Sequence, residues 1–180
     1  MIFPSAGHNP KGIKIDPGAV ANGYREADLN IEIRDLVCKE LTALGSKYIT
    51  DLDNETLGQY LERIQTGTGS VVLEFHFDAA NGTASGSTAI VEAEADRLDK
   101  LFAKEIVDSC SSILGIKNRG VKSEADTHRG RLGLMREDGI ICLLEVGFID
   151  NINDLNAYHA HKVALAKAIA AILIKYEAFI

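Results

Sequence analysis

Apolar and polar positions along the 180-residue chain follow two rhythms, one of short unbroken runs and one of helical spacing. The runs stand at Met1 to Ser5, Ser70 to Ala79 and Gly139 to Phe148, and "SVVLEFHFDA" and "GIICLLEVGF" contain several β-branched or aromatic residues. Runs this short and this apolar predict strands covered on both faces. "SVVLEFHFDA" is expected near the centre of a sheet, with "GSTAIVEA" as its neighbour across the turn "NGTASG". Lys47 to Thr50 predicts one more short strand. Helical spacing covers Glu26 to Leu44, the stretch "ETLGQYLERIQ" with Asp53 or Asn54 as its cap, Asp96 to Leu114, and Asn153 to Tyr176. Strands alternating with helices predict an α/β fold, a single domain over residues 1–180 with a mostly parallel twisted central sheet and helices on both faces.

Several polar residues interrupt this pattern where side chains should be buried. Glu26 and Asn30 lie on the apolar stripe of the first long helix with Leu29, Ile33 and Val37. In the 70–79 strand, side chains alternate, so Val72, Glu74, His76 and Asp78 share one face while Val71, Leu73, Phe75 and Phe77 line the other. Glu145 stands with Leu143 and Gly147 near the end of the 139–148 strand, and His8 follows the first strand. Each has an ordinary explanation by itself: a carboxylate complementing a helix N-terminus, a hydrogen-bonded core histidine, a structural salt bridge, a loop histidine. Together they fall where ligands bind in open α/β sheets, at the carboxyl ends of strands. Two imidazoles and a carboxylate (His8, His76 and Glu26) match a catalytic zinc site, which leaves a fourth position for water, and Glu145 would then be the carboxylate that takes and returns a proton. Spacing alone does not select this trio, because no compact H-E-x-x-H motif is present. Glu74 and Asp78 are available to orient a histidine through its second nitrogen, a task that water or a backbone carbonyl performs as well.

Composition narrows the partners. A net charge of −7 and an isoelectric point near 5.2 oppose a phosphate-binding surface, so no nucleic-acid partner is expected. "GHNPKG" has neither the G-x-G-x-x-G fingerprint nor a P-loop ending, which removes a nucleotide-binding reading. The three cysteines, Cys38, Cys110 and Cys142, are widely spaced in apolar segments and read as core thiols. No basic-then-apolar leader and no run approaching about 18 uninterrupted apolar residues is seen, so neither export signal nor membrane span is expected, and the protein is expected to be made in the cytoplasm.

Read in order, "SAGHNPKG…DPGAVANGYREADLN", "LEFHFDAANGTASGS", "NRGVK" and "LLEVGFIDNINDL" resemble the zinc-dependent N-acetylmuramoyl-L-alanine amidases of the Amidase_3 family, almost from end to end. The resemblance implies His8, Glu26 (in Gly23-Tyr24-Arg25-Glu26) and His76 as ligands of Zn2+ and Glu145 (in Glu-x-Gly-Phe) as the catalytic glutamate, with Asn151 and Asp154 as matching downstream positions. It implies peptidoglycan as substrate, cut between N-acetylmuramic acid and L-alanine. With no export signal expected, the enzyme, expected as a monomer, reaches the cell wall after release, as a phage endolysin or a mother-cell or lysis-associated bacterial enzyme does. A zinc peptidase cutting within the stem peptide, or a non-catalytic wall-binding module, are the alternatives. The sequence departs from the family at Ser5 (often aspartate), Asn9-Pro10 (often Gly-Gly), Asp78 (often asparagine) and the long connection "SEADTHRGRLGLMR". His128, His159 and His161 are expected at the surface.

Overall fold

The computed structural model describes residues 1–128 and 130–179. Strand β1 (Ile2–Ala6) opens the chain, and a loop carrying a small antiparallel ribbon of β2 (Val20–Ala21) and β3 (Tyr24–Arg25) leads into helix α1 (Glu26–Ala43). The short helix α2 (Leu57–Arg63) precedes β4 (Val71–Asp78) and β5 (Ser87–Val91). Helix α3 (Arg97–Leu114), β6 (Asn118–Ser123), two 3-10 turns, β7 (Ile140–Phe148) and α4 (Ile152–Glu177) complete it.

The central sheet has the order β1-β4-β7-β5-β6. β1, β4 and β7 run parallel, β5 is antiparallel to β7, and β6 is parallel to β5. The α/β class and the mostly parallel sheet agree with expectation. β5 is not the neighbour of β4: β7 lies between them. The connection from β4 to β5 turns back one strand wider than a hairpin because β7 and the segment after it hold it. Asp150 accepts from the Ala80 and Gly82 amides, Asp154 from the Gly86 amide, and the Ser87 hydroxyl donates to the Val146 carbonyl at 2.7 Å.

Two further expectations fail for visible reasons. Lys47 to Thr50 is no strand; it touches β1 through a single parallel bridge, Ile2 to Tyr48. The chain then leaves the edge, and the Asp51 carboxylate accepts the Ala6 amide at 3.0 Å while pairing with Arg34. Asp53 is drawn into the same Arg34 network, so α2 is capped by Thr56, whose side chain and backbone form a capping box with Gln59. β6 and the β2–β3 ribbon lacked the apolar runs by which strands are read and were not anticipated; β6 has no buried residue.

Helices lie on both faces, but unequally. α1, α3 and α4 all pack on the face of Val71, Leu73, Phe75 and Phe77, in one large core that includes Ile33, Phe102, Ile106, Leu144, Val146, Leu165 and Ile169. The other face carries a small cluster, with Phe3, Val72, Ile141 and Leu143 covered by Tyr60 and Ile64 of the α2 region and by Leu134 and Met135. The three cysteines are buried and free. By length and composition α4, at 26 residues, is apolar enough to cross a bilayer, yet Leu155, Leu165, Ile169 and Leu173 belong to the large core, as befits a core helix.

Candidate metal centre and buried carboxylate

The site forms where β1 and β4 end. Gly7, just past β1, is held on both sides: its amide donates to the Phe75 carbonyl at 2.9 Å and its carbonyl accepts from the Asn30 side chain at 2.9 Å. This is why a fully buried asparagine sits on the apolar stripe of α1. The next residue, His8, adopts a left-handed backbone with φ 66°. For a non-glycine residue that conformation costs about 1–3 kcal/mol and persists only where the surroundings enforce it. It turns the imidazole back over the strand ends.

Glu26 starts α1 and reaches the same point. Its Oε1 lies 3.2 Å from His8 Nε2 and 2.9 Å from His76 Nδ1, and its Oε2 accepts the Ala19 amide at 2.9 Å. The two imidazole rings meet edge to face with centroids 5.1 Å apart. One donor atom from each of His8, Glu26 and His76 lies within 4.8 Å of the others, a grouping that can hold a metal ion. Two glycines make room for it. A Cβ on Gly7 would stand 2.1 Å from the His76 ring, and one on Gly18, where φ is +64°, would stand 2.5 Å from Glu26 Oε2 and 2.7 Å from His8 Cδ2. The residues present thus suit a bound divalent metal: three convergent donors of the types zinc prefers, in a cradle that admits no extra side-chain atom.

Without a metal the three groups satisfy one another electrostatically. Burial would raise the Glu26 pKa, but hydrogen bonds and charge from His76 and His8 outweigh it and hold the carboxyl far below its ordinary range. Burial would lower both histidines; contact with Glu26 reverses this for His8, and Glu26, Glu74 and Glu145 do so more strongly for His76.

Glu145 stands apart from this cluster although it is next to it. In the sheet it pairs in register with His76 on β4 and with Thr88 on β5. Its Oε2 is buried and has no hydrogen-bond partner among the described residues. Burial is the main cause of a pKa pushed up to about 7, with the charge of His76 opposing and that of Asp78 and Glu26 adding. A carboxyl that titrates near neutrality is suited to taking and returning a proton.

The structure therefore brings together all four residues singled out in the sequence. It also adds one that was given no role: the Asp16 carboxylate lies 2.9 Å from His8 Nδ1, on the nitrogen turned away from Glu26. Asp16 follows a loop without periodicity, so no sequence rhythm pointed to it. The departure at Asn9-Pro10 builds this contact. Asn9 and Asp16 exchange backbone hydrogen bonds of 2.9 Å, and the Asn9 side chain donates to the Lys11 and Lys14 carbonyls, closing residues 9–16 into a short excursion. Asp78 accepts the Ala79 amide at 2.8 Å, and the contacts of both histidines run to Asp16, Glu26 and Glu74 instead. Asn151 caps α4, and Asp154 accepts from the Phe148 amide and the Ser85 hydroxyl, so both are structural pins. His128 and His161 are exposed. His159 is not a plain surface residue: it is half-buried, with its ring 5.1 Å from that of Tyr24 and 5.3 Å from that of Tyr158.

In class, then, the molecule is an α/β domain whose strand ends present three metal-competent donors beside a separate half-buried acid with one enclosed oxygen. The chain belongs to the N-acetylmuramoyl-L-alanine amidase family, Amidase_3, which matches residues 2–175. It is 25% identical over 157 residues to YqiI of Bacillus subtilis (strain 168), covering 85% of this chain and 72% of YqiI. It is 27% identical over 129 residues to the N-acetylmuramoyl-L-alanine amidase LytC of the same organism, covering 69% of this chain but only 25% of LytC. In fold it matches the N-acetylmuramoyl-L-alanine amidase AmiC2 of Nostoc punctiforme, with a TM-score of 0.75, 20% identity and coverage of 98% of this chain and 96% of that one.

Proposed function

We propose that this protein hydrolyses the amide bond between N-acetylmuramic acid and L-alanine in peptidoglycan, with zinc held by His8, Glu26 and His76 and with Glu145 as the catalytic acid–base. The observation that carries this reading is the juxtaposition of the His8–Glu26–His76 cluster with the unpartnered Oε2 of Glu145 one strand away. Family membership supports the choice of bond.

When bound, zinc lowers the pKa of a water molecule to about 7 and polarises the scissile carbonyl. The chain's own residues do the rest. Glu145, buried and uncommitted at Oε2, accepts the proton of the attacking water and passes it to the departing alanine nitrogen, so that the C–N bond breaks to a carboxylate on the sugar and a free peptide amine. Asp16 fixes the His8 ring through Nδ1, leaving Nε2 to face the cluster.

The test is metal analysis joined to mass spectrometry of digested muropeptides. Native protein is expected to bind about one zinc per chain, as a three-ligand catalytic site requires, and to release intact stem peptides with L-alanine at the N-terminus. Glu145→Gln is expected to keep the zinc and lose about 10²–10⁴-fold in rate, the usual worth of a general acid–base. Products cut within the stem would replace this reading by a peptidase. Unchanged release by Glu145→Gln would remove Glu145 from the chemistry.

A further inference from the structure

Each histidine of the cluster presents one nitrogen to Glu26 and the other to a second carboxylate. For His8 that carboxylate is the loop residue Asp16; for His76 it is Glu74, whose Oε2 lies 3.7 Å from Nε2. Glu74 is an unusual residue to find there. It lies on the inner face of β4, is only 4% exposed, and among the described residues its ion-pair contact is with His76 alone. A buried ionised carboxylate is costly unless paired and hydrogen-bonded, so a pairing at this site has to contribute something.

Its surroundings are polar. Ser5 is its register partner on β1, so the Ser5 hydroxyl lies on the same face beside it. A cavity of about 20 Å³ next to it is lined by Glu74, Tyr60, Asp51 and His8. That is room for one water molecule, which needs roughly 10–15 Å³ and two or more polar partners. Apart from each other, the buried hydroxyls of Ser5 and Tyr60 have no hydrogen-bond partner among the described residues, and Tyr60 lines the cavity. Glu74 is thus a buried carboxyl with polar neighbours, directed at one imidazole nitrogen.

We infer that Glu74 is a positioning residue that holds the His76 proton on Nε2, so that the Nδ1 lone pair faces Glu26 and the metal position. A neutral imidazole carries a single N–H, and only the other nitrogen can ligate. His76 Nδ1 is the nitrogen within 2.9 Å of Glu26, so ligation from that side requires the proton to sit opposite it, where Glu74 is. Carboxylate partners of this kind orient metal-bound histidines and raise their basicity. The inference rests on the zinc reading above. It adds that the affinity of the site depends on a residue outside the ligand set, which has Ser5 beside it on β1 and a small polar cavity lined by Tyr60 next to it.

The experiment measures zinc affinity by chelator competition for the native protein, Glu74→Leu and Glu74→Gln, with circular dichroism to check folding. The imidazole nitrogens of the zinc-loaded native protein are assigned by 15N NMR. Glu74→Leu, apolar and of similar volume, is expected to weaken zinc binding about 10–100-fold. Glu74→Gln keeps an acceptor oxygen and is expected to recover most of that loss. The NMR spectrum is expected to show His76 protonated at Nε2. Native affinity in folded Glu74→Leu, or a His76 proton on Nδ1 in the native protein, overturns the inference and leaves the zinc reading intact. The NMR arm decides the matter even where a substitution prevents folding. Native protein that takes up no zinc overturns both.

Discussion

The two faces of the central sheet are made from the same strands and do opposite work. On β4, Val71, Leu73, Phe75 and Phe77 point into a dry core under three long helices, while Val72, Glu74, His76 and Asp78 point to the side where only α2 and short turns give cover. The first face is apolar and closely packed, and it fixes strand order and helix placement. The second gathers carboxylates and imidazoles under thin cover, which is poor practice for stability and, on the proposed reading, what the chemistry needs. One strand serves both because its side chains alternate. Stability and the proposed function are therefore expected to separate by residue along a single stretch of eight.

That separation can be broken by mutation, beginning with the dry face. Phe75→Ala empties a fully buried aromatic position and is expected to cost about 3–5 kcal/mol, lowering Tm by roughly 10 °C at this chain length. The folded fraction should still bind zinc with native affinity, measured by chelator competition below the melting range. Equal loss of affinity and stability would mean that the two faces are not independent.

Gly7→Ala attacks the other side. The new Cβ would collide with the His76 ring, so the ring must leave the cluster. Zinc affinity is expected to fall at least about tenfold, or about 1.4 kcal/mol, with a smaller loss of Tm than Phe75→Ala. A variant that binds zinc as the native protein does would show that the close approach of Gly7 to His76 is not what aligns the ligands.

The smallest effect is the most specific to the comparison, since it predicts a gain. The Glu145 carboxyl is pushed up to about 7 in the folded chain, whereas unfolded it titrates near its ordinary 4.5. Between those values the folded state keeps a proton that the unfolded state has released, so this group's contribution to stability falls as pH rises through that window. Glu145→Gln removes the fall. Metal-free Glu145→Gln should melt a few degrees above the native protein at pH 8 and level with it at pH 5, read by calorimetry. His8 and His76, whose folded pKa values are also raised, lose stability with rising pH in both proteins; part of the rise at His76 comes from Glu145, so that loss is smaller in the variant and adds to the difference at high pH. A difference of the same size at both pH values would show that burial of charge at Glu145 is not its source.

Much of this was legible before folding. The apolar runs of β4 and β7 and the helical spacing of α1, α3 and α4 are strong local signals, since each buries a continuous face, and the elements fall within a residue or two of expectation. His8, Glu26, His76 and Glu145 were conspicuous as polar residues in apolar places, and they do converge. What escaped was whatever depends on partners distant in sequence. β6 is half-exposed and carries no apolar rhythm, and the insertion of β7 between β4 and β5 rests on Asp150 and Asp154 gripping a loop some 70 residues earlier (|i−j| of 68 to 70). Asp53 was a reasonable helix cap until Arg34 claimed it.

The chain by itself determined the class of fold and which polar residues interrupt its apolar faces, because periodicity and residue type are local properties; the choice of His8, Glu26, His76 and Glu145 among them came from the family resemblance. Tertiary structure alone decided which nitrogen of each histidine faces the cluster, that Asp16 and Glu74 stand behind them, and that Glu145 keeps one oxygen free. Those outcomes turn on distances of about 3–4 Å, the range over which hydrogen bonds and buried charges act. They arise only when loops, strands and a helix far apart in sequence are packed to a common point.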